Sequence, residues 1–155
     1  MSSAEGMRAV IQRVTRAAVT VEGRVTGRIG HGLLVFAGVA GDDGPADVAY
    51  IAGKLRDLRI FPDEHGRMNR SVVESGGAVL VVSQFTLHAD CRKGRRPSFD
   101  GAAPASLAQA LYEELIRALR ESGLAVETGV FQAHMEVDLL NDGPVTMLLD
   151  SRRLF

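Results

Sequence analysis

The 155-residue chain carries 18 Lys and Arg against 19 Asp and Glu, a net charge of −1, and is 46% hydrophobic and 24% charged. Those fractions exclude a disordered or collagen-like polymer, and no apolar run approaches the ~20 residues that cross a bilayer as a helix, so no membrane partner is expected. Cys91 is the only cysteine, which removes intrachain disulfides and paired-cysteine zinc sites, and the near-neutral balance confines any RNA contact to a local patch.

Residues 1–6 are polar and lack the apolar stretch of a signal peptide, so they read as a disordered leader ahead of a single domain over 7–155, with the cytoplasm as the expected compartment. Residues 8–14 alternate apolar and polar, as a half-buried strand does. Residues 17–21 and 24–29 are short β-rich runs joined at Glu22-Gly23, where glycine tolerates the positive φ of a hairpin. Residues 33–39 are almost continuously apolar, as in a central strand covered on both faces.

Pro45 suits a first helical turn, and Val48, Ile51, Leu55 and Leu58 form a stripe at helical spacing that Phe61-Pro62 ends. A polar loop over 63–69 follows. Gly76-Gly77 leads into a strand over 78–85. Residues 105–121 carry the best helical pattern, through Leu107, Leu111, Leu115 and Leu119, with Gly123 as its stop. Residues 126–131, 135–140 and 145–149 read as three closing strands, the last two joined by a turn at Asn141-Asp142-Gly143-Pro144. The order predicts an α/β domain, β-rich, with a mixed sheet and about two packed helices.

Serine-hydrolase, zincin, P-loop and dinucleotide-binding motifs are all absent. His31, His65, His88 and His134 show no metal-ligand spacing and read as surface or loop residues, so no metal and no cofactor are expected. Cys91 beside cations is either an incidental thiol or one of lowered pKa. Two segments break their local rule. In Ser83-Gln84-Phe85-Thr86 an apolar strand ends in hydrogen-bonding side chains around one aromatic, which fits a strand leaving the core or a site. Asn141 to Thr146 fits an ordinary turn equally well. Arg92, Lys93, Arg95 and Arg96, followed by Phe99, form either a solvated loop or a patch that tracks phosphates and stacks a base.

Taken together, these segments resemble the D-aminoacyl-tRNA deacylase family. The start Met7-Arg8-Ala9-Val10-Ile11-Gln12-Arg13-Val14 is similar to that family's, Ser83-Gln84-Phe85-Thr86-Leu87 to its first signature, and Asn141-Asp142-Gly143-Pro144-Val145-Thr146 to its second. Arg96-Pro97-Ser98-Phe99 and Gly66-Arg67-Met68-Asn69 are similar as well. The resemblance implies a barrel-like deacylase fold, and a homodimer with active sites at the subunit interface. It also implies hydrolysis of the ester in D-aminoacyl-tRNA, and in glycyl-tRNA mischarged on tRNA(Ala). Ser83, Gln84, Phe85 and Thr86 would form the catalytic strand end. Gly143 and Pro144, joined by a cis bond and oriented by Arg13, would form the chiral filter. Arg92, Lys93, Arg95, Arg96 and Phe99 would meet tRNA. DNA is not an expected partner. The competing class is a non-catalytic tRNA- or RNA-binding module built on the same basic loop.

Overall fold

The computed structural model describes residues 5–155. Positions 1–4 of the expected leader lie outside the described residues, and its last two residues are not loose. The Gly6 N–H meets both carboxylate oxygens of Asp150 at 3.1 and 3.3 Å, and Glu5 reaches His88.

The elements run β1 (Arg8–Val21), β2 (Arg24–Ile29), β3 (Gly32–Gly38), α1 (Pro45–Asp57), β4 (Phe61–Pro62), β5 (Met68–Arg70), β6 (Ala78–Ser83), a 3₁₀ turn (Phe85–His88), α2 (Ala105–Glu121), β7 (Val126–Thr128) and β8 (Glu136–Asp150). Both predicted helices are present. The two runs expected at 8–14 and 17–21 are one strand, β1. Its first half pairs antiparallel with β3 and its second half with β2, while β8 lies along nearly all of its other edge.

The main sheet has the order β2-β1-β3-β6-β7, with β8 added on β1, and is mixed because β3–β6 and β6–β7 are parallel. It curls until its ends meet, in a nearly closed barrel. A Cβ on Gly27 of β2 would collide with the Thr128 carbonyl of β7, so glycine is what permits this approach.

Alternating residues serve two cores. Leu33, Val35, Val79 and Val81 face α1 and α2, meeting Ile51, Leu55, Leu115 and Leu119. Leu34, Leu80 and Val82 face inward with Val14 and Val19. A strand buried on both faces reads as a continuous apolar run, as expected for residues 33–39. Each fully buried Leu or Val contributes about 1.5–3 kcal/mol.

Four expectations fail. The loop expected at 63–69 contains the β4–β5 hairpin, paired from Phe61↔Arg70 to Pro62↔Met68 and held by the Asp63 carboxylate. The strand expected at 78–85 stops at Ser83 because its partner β3 stops at Gly38. The Gln84 N–H makes the final bond, to the Ala37 carbonyl at 2.8 Å, and the chain then winds into the 3₁₀ turn. The strands expected at 135–140 and 145–149 are one strand, β8. In place of a turn, residues 142–145 bulge out of its ladder: Gln12 pairs with Thr146 and Val14 with Asn141, so three extra residues stand opposite Arg13. The strand expected at 126–131 shortens to β7.

Candidate active site

A cleft of about 580 Å³ opens at the carboxyl end of β6. Ser83, Gln84, Phe85 and Thr86 form one wall. The remainder is mainly apolar: Ala103 and Ala105 at the entry to α2, then Phe131, Met135 and Val137. The four sequence-expected residues are therefore together. Their arrangement differs from a continuing strand, which would have sent Phe85 and Thr86 to opposite faces. In the 3₁₀ turn both are exposed at the cleft.

Phe85 and Thr86 open that turn, so neither N–H has an acceptor one turn back inside it. The later amides are used, Leu87 N–H by the Gln84 carbonyl at 3.2 Å and Ala89 N–H by the Thr86 carbonyl at 3.0 Å. The start of the turn thus presents two backbone donors beside an apolar wall, where an anionic oxygen gains most from them. Among the described residues, Thr86 Oγ1 makes no hydrogen bond to a basic side chain, and no group of His, Cys, Asp and Glu is arranged to hold a metal ion.

Gly143 and Pro144 lie elsewhere. They form the tip of the β8 bulge and are exposed, and the peptide bond between them is cis. Proline has no N–H for the β1 ladder, so the ladder must open here. Gly143 sits at φ +125, and a Cβ there would come within 2.8 Å of Val145 Cγ2 and 3.0 Å of Arg13 Nη2. Arg13 secures the bulge from below. Its Nε donates to the Asp142 carbonyl at 3.2 Å, its Nη1 donates to the Ile60 carbonyl at 2.6 Å, and it pairs with the Asp142 carboxylate at 3.4 Å. Asn141 Nδ2 donates to Thr146 Oγ1 across the neck at 3.4 Å.

Arg13 pairs with Leu33 at the level of Val79, whereas Ser83 pairs with Ala37. Four residues of ladder at ~3.3 Å each put the two sites ~13 Å apart along the strands alone. Within one chain, corner and cleft do not meet.

The basic loop is exposed, but its cations are not equivalent. Arg92 is engaged by Asp90 through contacts of 2.9 and 2.7 Å, and that guanidinium holds the Asp90 carboxyl down at about 2. Lys93, Arg95 and Arg96 form no salt bridge among the described residues, although the Lys93 charge still acts on Asp90. Phe99 stands edge-on to Phe85, with ring centroids 5.1 Å apart, joining the loop to the mouth of the cleft.

Sequence reasoning missed the apolar wall of Ala103, Ala105, Phe131, Met135 and Val137, because it is assembled from single apolar residues of separate segments, which share no periodicity. It also read His88 as a surface or loop residue, yet the ring is buried beneath the 3₁₀ turn. Asp43 is buried too, and its desolvated carboxyl is pushed up to about 6.

A family model for D-Tyr-tRNA(Tyr) deacylase matches residues 10–150. The chain is 64% identical over 149 residues to a D-aminoacyl-tRNA deacylase of Anaeromyxobacter dehalogenans (strain 2CP-C), covering 96% of this chain and 100% of the relative. A D-aminoacyl-tRNA deacylase of Syntrophobacter fumaroxidans (strain DSM 10017 / MPOB) is 60% identical over the same shares. Among solved structures, one named c-Myc DNA Unwinding Element Binding Protein superposes with a TM-score of 0.86 at 39% identity, covering 92% of this chain and 97% of that one.

Proposed function

The chain belongs to the D-Tyr-tRNA(Tyr) deacylase family, hydrolases of the ester bond in aminoacyl-tRNA, and from that premise we propose how its residues choose and cleave a D-aminoacyl ester. The cleft at the end of β6 takes the terminal aminoacyl-adenosine. Water adds to the ester carbonyl, the N–H groups of Phe85 and Thr86 receive the oxyanion, and the bond from acyl carbon to ribose oxygen breaks. Free amino acid and tRNA leave, with a proton returned to the ribose oxygen. The vicinal 2′-hydroxyl of the ribose assists, which suits a site whose threonine has no basic partner. The observation that carries this reading is the pair of unused amides at the start of the 3₁₀ turn.

Handedness is sensed by the Gly143–Pro144 corner of a second copy, whose main-chain carbonyls accept the substrate ammonium. With ester and ammonium both fixed, a D side chain faces open space and an L side chain meets the wall. Glycine has nothing to exclude and passes, so glycyl-tRNA mischarged on tRNA(Ala) is also a substrate. Two features favour contribution in trans and hence a homodimer. The corner is remote from its own cleft and exposed. In addition, β8 is paired only with β1 and presents Leu140 and Leu148, 48% and 58% exposed, along that strand. Lys93, Arg95 and Arg96 meet tRNA phosphates, Phe85 and Phe99 offer faces for the adenine, and the cytoplasm is the compartment where that substrate resides.

The deciding experiment measures single-turnover hydrolysis of matched D- and L-tyrosyl-tRNA. Rapid cleavage of the D form alone is expected, and Thr86→Ala should retain activity within about tenfold of the parent. Equal rates on both forms would refute the chiral filter. Near-complete loss in Thr86→Ala with intact tRNA binding would replace substrate assistance with a threonine nucleophile. Binding of uncharged tRNA without hydrolysis of either ester would indicate the RNA-binding module instead.

A further inference from the structure

We infer that Glu5, Arg8 and His88 form a clamp that sets the 3₁₀ turn from beneath, which makes Glu5 and His88 positioning residues for ester hydrolysis. This inference rests on the reading that the Phe85 and Thr86 amides receive the oxyanion.

The turn needs external support. It is four residues long, and 3₁₀ geometry makes poorer hydrogen bonds than an α-helix. Two side chains grip it at consecutive positions. Arg8 Nη1 donates to the Leu87 carbonyl at 3.3 Å. His88 closes the turn, and its Nδ1 lies 3.1 Å from Glu5 Oε1. A carboxylate oxygen can only accept, so Nδ1 donates.

The two grips are joined to each other and to the sheet. The other Glu5 oxygen pairs with Arg8 Nη2 at 3.3 Å, and Arg8 Nε donates to Asp150 Oδ2 at 3.0 Å. Asp150 is fully buried at the end of β8 and is held in turn by the N–H groups of Gly6 and Arg152. The chain Asp150–Arg8–Glu5–His88 therefore runs from a buried anchor to the underside of the turn.

The ring has a place prepared for it. A Cβ on Gly38 would lie 2.9 Å from the Gln84 carbonyl oxygen and 3.2 Å from His88 Nε2. Glycine at the end of β3 thus lets both the imidazole and the strand-to-turn junction lie flat against it.

Neither Glu5 nor His88 belongs to the two signature segments. Glu5 and Arg8 are each 22% exposed at the side chain, so solvent screens their ion pair only in part. Their contribution is to the geometry of one turn. A donor displaced by a fraction of an ångström loses transition-state stabilisation while ground-state binding is unaffected, so kcat should fall and KM should not.

The test compares the full-length protein with Glu5→Ala and Glu5→Gln by steady-state kinetics on D-tyrosyl-tRNA and by hydrogen exchange at the Leu87 and Ala89 amides. In Glu5→Ala, kcat should fall about tenfold with KM within about twofold, and both amides should exchange faster. Glu5→Gln keeps an acceptor for His88 Nδ1 and should recover most of the rate. Unchanged exchange, or a rise in KM at constant kcat, would overturn the clamp. Faster exchange at unchanged kcat would leave the contacts in place but overturn their catalytic role, and with it the oxyanion role of the turn. A parent enzyme that cleaves D- and L-tyrosyl-tRNA alike would instead be a failure of the chiral reading, visible before any variant is made.

Discussion

At the end of β6 the chain turns inward, with His88 buried under the 3₁₀ turn and tied through Glu5 and Arg8 to a buried aspartate. At the bulge in β8 it turns outward, with Gly143 and Pro144 exposed and only their base secured, by Arg13. Both segments interrupt a β ladder, and both direct main-chain polar groups away from it. They differ in what must hold them. The turn presents donors to a cleft in its own subunit, and that subunit's core can position it. The corner stands exposed at the tip of the bulge, so the Arg13 guanidinium, the Asn141–Thr146 bond across the neck and a shape only glycine adopts easily define it. A main-chain group facing a cleft of its own fold can be set by deep packing, whereas one at an exposed tip has to be made stiff at the surface.

The sharpest way to break this comparison is Gly143→Ala. At φ +125 a side chain is strained, and the new Cβ would press on Val145 and Arg13. We expect at least about a 10²-fold loss of D-aminoacyl-tRNA hydrolysis, with thermal unfolding little changed because the tip is exposed. A variant with full activity would show that the corner is not a rigid filter.

Apart from both segments, the buried carboxyl of Asp43 before α1 should make stability pH-sensitive. Burial raises Asp43 to about 6, so the folded chain favours its neutral form. Its contribution to stability is then complete below the ordinary value of 3.8 and lost as pH rises through about 6. Urea unfolding at pH 4.5 and pH 8, at fixed protein concentration, should show Asp43→Asn gaining about 2 kcal/mol on the parent between the two conditions. An identical difference at both pH values would mean that Asp43 is ionised without cost.

The smallest effect belongs to the basic loop, whose cations lie outside both segments although its Phe99 packs against Phe85 of the turn. Neutralising Arg95 and Arg96 together to Gln should weaken tRNA binding and reduce its dependence on log salt by about 1–2. Neutralising Arg92, already engaged by Asp90, should do less. An unchanged salt slope in the double variant would move the tRNA contact elsewhere.

Much of this was legible beforehand. The apolar run at 33–39 announced a strand with two covered faces, and the stripes at 48–58 and 107–119 announced helices, because burial imposes a period on local sequence. Ser83 to Thr86 stood out by their departure from that pattern, but only the family resemblance singled them out as a site. The 3₁₀ turn could not be foreseen, since it forms where a neighbouring strand happens to end. The bulge looked like a turn for a related reason: glycine and proline announce a break in a ladder but not whether the chain reverses or continues.

The local sequence, then, decided where both helices and most of the strands lie and which residues break their rules. Tertiary structure alone decided that Ser83–Thr86 lead into a turn whose first amides find no acceptor among the described residues, that residues 136–150 continue as one strand, and that Glu5 and His88 meet. Those outcomes depend on pairing partners and anchors far away in the chain, and hydrogen-bond geometry between distant residues leaves no periodic trace in the sequence that produces it.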